Sequence, residues 1–560
     1  MTQARMDILW DWITLQAITG PIVDKEMRVA SRRVRYYLLR MVFVGIIGLL
    51  VVFTSASVSQ FGGGSAALQA SRMSVISIAV TSTVIGFLFF AVPFLAAVMM
   101  SNSISDEVRR GTLAVLMTTP ITSVQLVVGK LLSRLLQLLL LTAIALPLLS
   151  ILRLLGGVPW EAVLPGIVLT MTTAILAGSV SLWFSVTARQ AHRALSMTIG
   201  VFIIVYLGVI LLEFWVPMLI RNGTIPNWCG GLVPILSLLD PNRAFYTALA
   251  NSRMPVPGTP SWVMHCPISL AMSAAILGSA SIRLRKVMIR QAFDPNRVGV
   301  VGKALGAGRP GPIREVGNPP ITWKDLHSTL RERGWLERFT APLAIVMLLL
   351  TYFLAWKYDG LDYVGFHVAF VAILILLGLL RTTTLAGMTI AREKESRTLP
   401  ILLMVPLSDA EILWQKVRAI LHKTAPIWLV LAIHVIVFSA AGPLSPWSFP
   451  ALAAILLPTL IFVFGLGLFF SAKCRSTTAA TTWSFAVPML MWFFNPFMFV
   501  CNPIVAACLA LVGLTNAERG DVGWFGLVWG VVLVGYLCIG AILVIAAERM
   551  MRSRMFESRG

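Results

Sequence analysis

Twelve apolar runs constrain this chain more than any other feature. A helix rises 1.5 Å per residue, so about 20 apolar residues cross the ~30 Å of bilayer hydrocarbon, and slightly fewer suffice when flanking side chains snorkel. The first half holds Met41–Val58, Ile76–Met100, Leu135–Leu152, Val163–Val186, Leu195–Leu219 and Trp262–Ile282. The second holds Ala341–Trp356, Val364–Leu380, Ile427–Ala441, Leu452–Phe470, Ala479–Phe499 and Trp524–Ala547. With 58% hydrophobic and 12% charged residues, the apolar surplus exceeds what one soluble core absorbs. The expected fold class is an all-α polytopic membrane protein. The run from Ala479 continues apolar to Leu514 past Pro488, Pro496 and Pro503, as one span plus a re-entrant hairpin or as two spans.

Charge placement decides between these arrangements. The 45 Lys and Arg against 24 Asp and Glu leave a net charge of +21. With twelve spans and an inside N-terminus, only Arg72, Arg153, Arg221, Arg243, Arg253, Lys357 and Arg519 of the basic residues fall outside. A thirteenth span would put Arg549, Arg552, Arg554 and Arg559 on the wrong side of the positive-inside rule. Both termini are therefore expected to be cytoplasmic, and the positive charge reads as topology, with no nucleic-acid partner. No apolar leader precedes Met41, so the first span is expected to serve as its own insertion signal. The six cysteines are scattered without C-x-x-C spacing, which suits neither a disulfide framework nor a zinc site.

Two polar blocks recur at a constant offset of 286 residues. Ser105–Thr122 matches Ala391–Ser408, with identities at Glu107/Glu393, Thr112/Thr398, Leu113/Leu399, Leu116/Leu402 and Pro120/Pro406, and Lys130/Lys416 follows. The same offset aligns Leu182/Leu468, Phe184/Phe470, Ser185/Ser471 and Arg189/Arg475. A further block, Pro21-Ile22-x-x-Lys25-Glu26, returns as Pro320-Ile321-x-x-Lys324-Asp325. Apolar spans match by chance far more readily than polar loops, so the chain reads as a duplication. The expected organisation is two parallel six-helix repeats, 1–282 and 341–560, joined by a Gly-, Pro- and Arg-rich cytoplasmic connector over 283–340.

In each half the repeated block lies between the second and third spans. Its proline ends a short helix, and the Thr122 or Ser408 two residues on is placed to cap the next one, fixing the angle between them. Before the first span, Lys25, Arg28, Arg32 and Arg35 share one helical face opposite Met27, Ala30, Val34, Tyr37 and Leu38. That pattern describes an interfacial helix on anionic lipid. Met6–Ile18 is a weaker second candidate, and the counterpart before Ala341 is poorly amphipathic.

The motif Glu-x-x-x-Gly-Thr-Leu-x-x-Leu-x-x-x-Pro-Ile-Thr over Glu107–Thr122 resembles the cytoplasmic-loop signature of ABC exporter permeases of the type-2 class. The resemblance implies a six-span unit whose loop between spans two and three docks onto a separate ATP-binding subunit. It implies coupling residues Glu107, Arg109, Thr112, Leu113 and Pro120 in the first half. In the second half they are Glu393, Thr398, Leu399 and Pro406. It makes Thr112–Thr119 and Thr398–Val405 the docking helices, the two glutamates the polar contacts, and two ATPase copies the partners. Arg397 replaces the motif's glycine in the second copy, and Pro400 is expected to shorten its helix.

What is missing agrees with that reading. No G-x-x-x-x-G-K-[ST] phosphate cradle is present: Gly302-Lys303 has Arg297 in place of the first glycine and Ala304 after it. The chain is thus expected to be a transport subunit with no cofactor or catalytic residues of its own, ATP being bound by the partner. The six histidines form no H-E-x-x-H, and ionisable groups deep in the spans are few: Glu213 near an outer end, His434, and Arg381, which can snorkel inward. An ion-coupled carrier ordinarily holds several such groups near the midplane. A secondary carrier of the major-facilitator kind, with two parallel six-helix halves, is the alternative, and a polytopic enzyme lacks a catalytic cluster.

Overall fold

The computed structural model describes residues 23, 25–26, 28, 32, 34–59, 66–105, 107, 121–156, 160–188, 191–231, 235, 238–251, 262–292, 315–331, 335–493, 502–515 and 522–553. These residues contain helices and turns and no strand. The chain divides into two compact units, Met1–Gly308 and Arg309–Gly560. It is an all-α, multi-pass membrane protein.

The first unit consists of α1 (Val34–Ser59), α2 (Ala66–Ser101), α3 (Ser123–Ala143), α4 (Ala145–Gly156), α5 (Trp160–Thr187), α6 (Ala191–Arg221), α7 (Pro241–Asn251) and α8 (Trp262–Ala292). α5 is central, packed on α2 and α8 and flanked by α3, α6 and α7, while α1 lies on α2. The second unit consists of α9 (Pro320–Arg331), α10 (Trp335–Lys357), α11 (Val364–Met388), α12 (Ala391–Glu395), α13 (Leu399–Leu403), α14 (Asp409–Ala441), α15 (Ser448–Lys473), α16 (Thr477–Phe493), α17 (Pro503–Thr515) and α18 (Val522–Ser553). Here α15 is central, packed on α18 and α11 and flanked by α16 and α17.

The two central helices are the most buried spans of their units, and their sequences explain why. Each is apolar on every side, the pattern of a helix enclosed by others. Their hydroxyls are satisfied locally: Thr170 donates to the Gly166 carbonyl at 2.6 Å and Thr459 to that of Ile455 at 2.7 Å. In the second unit Gly465 of α15 meets Gly540 of α18. A Cβ on Gly540 would lie 2.7 Å from the backbone carbonyl carbon of Ile461, so glycine is what permits the close crossing.

Among the described residues ten helices are long and apolar enough to span a membrane, and Ile345–Lys357 and Pro503–Val512 are shorter apolar helices. The expected count of about twelve spans is not confirmed among the described residues, and residues 494–501 and 516–521 lie outside them. Of the expected span Ala479–Phe499 the part to Phe493 is described, as α16, and residues 494–499 lie outside the described residues; α17 follows from Pro503. Its start is tied back to α16 by Asn502 Nδ2, which donates to the Trp492 carbonyl at 3.2 Å.

The first unit has a matching short helix that sequence reading left as loop. α7 and α17 both open on an Asx-Pro pair, Asp240-Pro241 and Asn502-Pro503. Asp240 Oδ1 accepts from Asn242 N, and Asn502 Oδ1 from Ile504 N, both at 2.9 Å. Proline occupies the first helical position, where no donor is needed. Arg243 on α7 pairs with Glu213 on α6 at 2.7 Å, which gives the carboxylate inside the fifth span its counter-ion.

The expected connector 283–340 carries ordered helix at both ends. Residues 283–292 continue α8, and α10 begins at Trp335. Within it α9 packs on α14, burying Ile321 and Thr322, whose Oγ1 donates to the Gln415 carbonyl at 2.9 Å. Arg35 lies in α1, ahead of its span-length stretch Tyr37–Ala56. Lys25, Arg28 and Arg32 are exposed.

Candidate functional site

The repeated loop is completely described in the second unit. α11 ends at Met388, and its last turn is capped from a distant span: Ser471 Oγ on α15 accepts from Ile390 N and Ala391 N, both at 2.8 Å. The first unit repeats this with Ser185 on α5, which accepts from Ile104 N at 3.1 Å and Ser105 N at 3.0 Å. Each participant in one unit is its counterpart in the other displaced by 286 residues. The duplication is thus visible in individual hydrogen bonds as well as in sequence.

Beyond that cap the chain forms the single turn α12, then reverses at Arg397, whose φ is 58°. The first copy has Gly111 at this place, the residue that adopts positive φ without penalty. Thr398 N then donates to the Glu393 carbonyl at 2.9 Å, and α13 begins. Pro400 sits in the first turn of α13, where its missing N–H leaves no gap. α13 covers five residues of the expected docking helix Thr398–Val405. α13 is short because the chain turns again at Met404–Pro406, with Pro406 exposed at the turn.

α13 has one buried face and one open face. Leu399 and Leu402 enter a core with Ile321, Ile390, Ile412, Leu413, Leu468, Ala547 and Met551. Ile401 is 67% exposed and Met404 82%, with Val405 beside them. Ser408 caps α14: its Oγ accepts from Glu411 N at 3.2 Å, and Glu411 Oε2 accepts from Ser408 N at 2.8 Å. Thr122 and Gln125 make the same reciprocal cap on α3, at 3.2 Å and 3.0 Å. The capping role expected of Thr122 and Ser408 is present in both units, each completed by an N3 partner.

Glu393 is turned inward. Its Oε1 lies 3.1 Å from Lys324 Nζ on α9 and 3.5 Å from Lys416 Nζ on α14, while its Oε2 accepts from the Thr398 hydroxyl. Lys416 also reaches Asp325 at 3.4 Å, and its side chain is 2% exposed. In the first unit Lys130 Nζ donates to Glu107 Oε1 and to the Ser103 carbonyl, each at 2.6 Å. Each glutamate expected as a polar contact to the partner is thus ion-paired within the chain, Glu107 with Lys130 of α3 and Glu393 with Lys416 of α14. Nearby, Lys394 donates to the Ala472 carbonyl, and Glu395 Oε2 accepts from Thr477 Oγ1 at 2.6 Å, joining the loop to α15 and α16. Glu393, Lys394 and Glu395 of this loop thus find partners within the unit, while Ser396, Arg397 and the apolar face of α13 are exposed.

Sequence reading recognised Lys130 and Lys416 as repeated but gave them no role. The available signal was the glutamate-to-lysine spacing of 23 residues, the same in both copies. Arg109, Thr112, Leu113 and Pro120 lie outside the described residues.

The ABC-2 family transporter protein model matches residues 21–287 and 321–509. The chain belongs to the ABC-2 transporter family. The two matches begin at Pro21 and Ile321, inside the repeated Pro-Ile block, so this ABC-2 type permease carries two fused units in one chain. Family membership leaves the secondary-carrier alternative without support. No curated protein and no solved structure matches the ABC-2 chain.

Proposed function

We propose that this ABC-2 permease is the membrane half of an ATP-driven exporter, powered by separate ATP-binding subunits docked on its two repeated loops. Both loops and both termini face the cytoplasm in this reading, and each chain, having both units, takes two ATPase copies. ATP is bound and hydrolysed on those partners, and no nucleic acid is involved. Lys25, Arg28 and Arg32 meet anionic lipid at that same face.

The observation that carries the reading, beyond the family match, is the open face of α13. Ile401, Met404 and Val405 form an exposed apolar patch on a loop outside the spans, and such patches mark contact surfaces. Behind it, Leu399 and Leu402 are packed and Glu393 is locked to α9 and α14. A partner pushing on Ile401 and Met404 therefore moves a rigid piece fastened to spans α11, α14 and α15. Glu107 and Glu393 act as positioning residues for the docking surface, and Thr398, Leu399 and Pro406 set its angle.

The test is co-purification of the ATPase with Ile401→Glu/Met404→Glu. Charges at the centre of a docking patch are expected to weaken association by about 2 kcal/mol or more, roughly 30-fold, with unchanged permease in the membrane. Undiminished association would remove α13 from the interface. Robust ATP turnover by the purified permease alone would overturn the two-component reading.

A further inference from the structure

At the end of the second unit that carries α12 and α13, cations outnumber the carboxylates beside them. Lys416 is shared between Glu393 and Asp325. Two turns further along α14, on the same side of the helix, stands Lys423, which is half-buried. The charges acting on Lys423 are three cations, Arg392 of α12, Lys416 and Arg381 of α11, and one carboxylate, Asp325, which Lys416 already holds at 3.4 Å. Among the described residues Lys423 makes no ion pair of its own. α11 and α14 touch just beyond this cluster: a Cβ on Gly378, one turn from Arg381, would lie 2.7 Å from the ring of Trp428.

Helix rise gives the level of these cations in the bilayer. Arg381 stands about 26 Å along α11 from Val364, and Lys423 about 27 Å along α14 from Ala441. Measured from the far ends of their helices, both reach the same boundary of the ~30 Å hydrocarbon layer, the level at which lipid phosphates begin. Arg381 is exposed there, and Arg392 is half-buried like Lys423. Cations gathered at a low-dielectric boundary repel one another, and a phosphate diester relieves that repulsion with oxygens that accept from guanidinium and ammonium together. Basic pockets between spans are recognised by anionic headgroups on this basis.

We propose that Arg381, Arg392 and Lys423 hold the phosphate of one anionic phospholipid at the seam of α11, α12 and α14. The lipid braces the base of the repeated loop by joining the span before it to the span after it. The first unit has Leu95, Asp106 and Gln137 at the corresponding positions, so the site belongs to the second unit alone. It is separate from Lys25, Arg28 and Arg32, and it does not depend on where the ATPase docks.

The experiment is native mass spectrometry of the full permease released from nanodiscs of phosphatidylcholine titrated with phosphatidylglycerol. The wild type is expected to retain one phosphatidylglycerol per chain. Arg381→Gln/Lys423→Gln is expected to bind it about 30-fold more weakly, about 2 kcal/mol for two cations near the surface. Arg418→Gln is the control: Arg418 is exposed and lies about 140° round α14 from Lys423, so the retained lipid is expected to stay. Undiminished retention in the double variant overturns the site. Equal loss in Arg418→Gln also overturns it, leaving only the general attraction of a basic surface. Inorganic phosphate added to the same nanodiscs is expected not to displace the lipid, and displacement would assign the cluster to a soluble anion instead. If the double variant does not accumulate, Arg381→Gln decides alone, with about 5-fold weaker retention expected and no change overturning the proposal.

Discussion

Replacing Glu393 with Gln distinguishes an internal strut from a partner contact. Its carboxylate is 12% exposed and Lys416 only 2%, with 3.5 Å between them. Removing one member of a buried pair generally costs about 3–5 kcal/mol, because the other charge stays buried. Here Lys416 keeps Asp325 at 3.4 Å, which lowers the cost. The Lys324 contact adds little, since that lysine is 50% exposed and water screens it to ~0–1 kcal/mol. The expectation is a loss of about 2–3 kcal/mol for Glu393→Gln and a similar loss for Lys416→Met. The double variant buries no unpaired member of the pair and is expected to cost less than the sum by about 1–2 kcal/mol. The assay is the unfolding midpoint of all four proteins in nanodiscs, with membrane abundance and ATPase pull-down measured in parallel. Strict additivity would refute the strut. So would normal stability with lost ATPase binding in Glu393→Gln, which would return Glu393 to the interface.

Two further outcomes follow from backbone geometry. Arg397→Gly relieves a positive-φ residue at the place where the first copy has glycine, and is expected to raise stability by about 0.5–1 kcal/mol, read as a higher unfolding midpoint. Gly540→Leu drives a side chain into the backbone of Ile461 and is expected to cost about 3 kcal/mol or more, seen as loss of folded protein in the membrane, while the same change at Gly535, which has open space around it, is tolerated.

The loops show where local reading ends. The caps on α3 and α14 were legible because Thr122-x-x-Gln125 and Ser408-x-x-Glu411 act within one turn. Glu393 was recognisable as repeated, but its orientation depended on a lysine one helix away and on another in α9. An isolated Glu near a helix start looks the same whether it faces a neighbour or solvent. α7 and α17 were missed as a pair because short apolar stretches after Asx-Pro read as loop or as part of a span.

Sequence alone determined the solvent, the helical class and the duplication. Apolar runs of this length admit only helices that satisfy their own backbone, and matched polar blocks at one offset have no other economical origin. Tertiary structure alone decided which helix lies at the centre of each unit, which carboxylates are enclosed and which face of α13 remains open. Those outcomes depend on side chains far apart in the chain meeting at set distances, and burial and charge pairing exist only after the spans have packed.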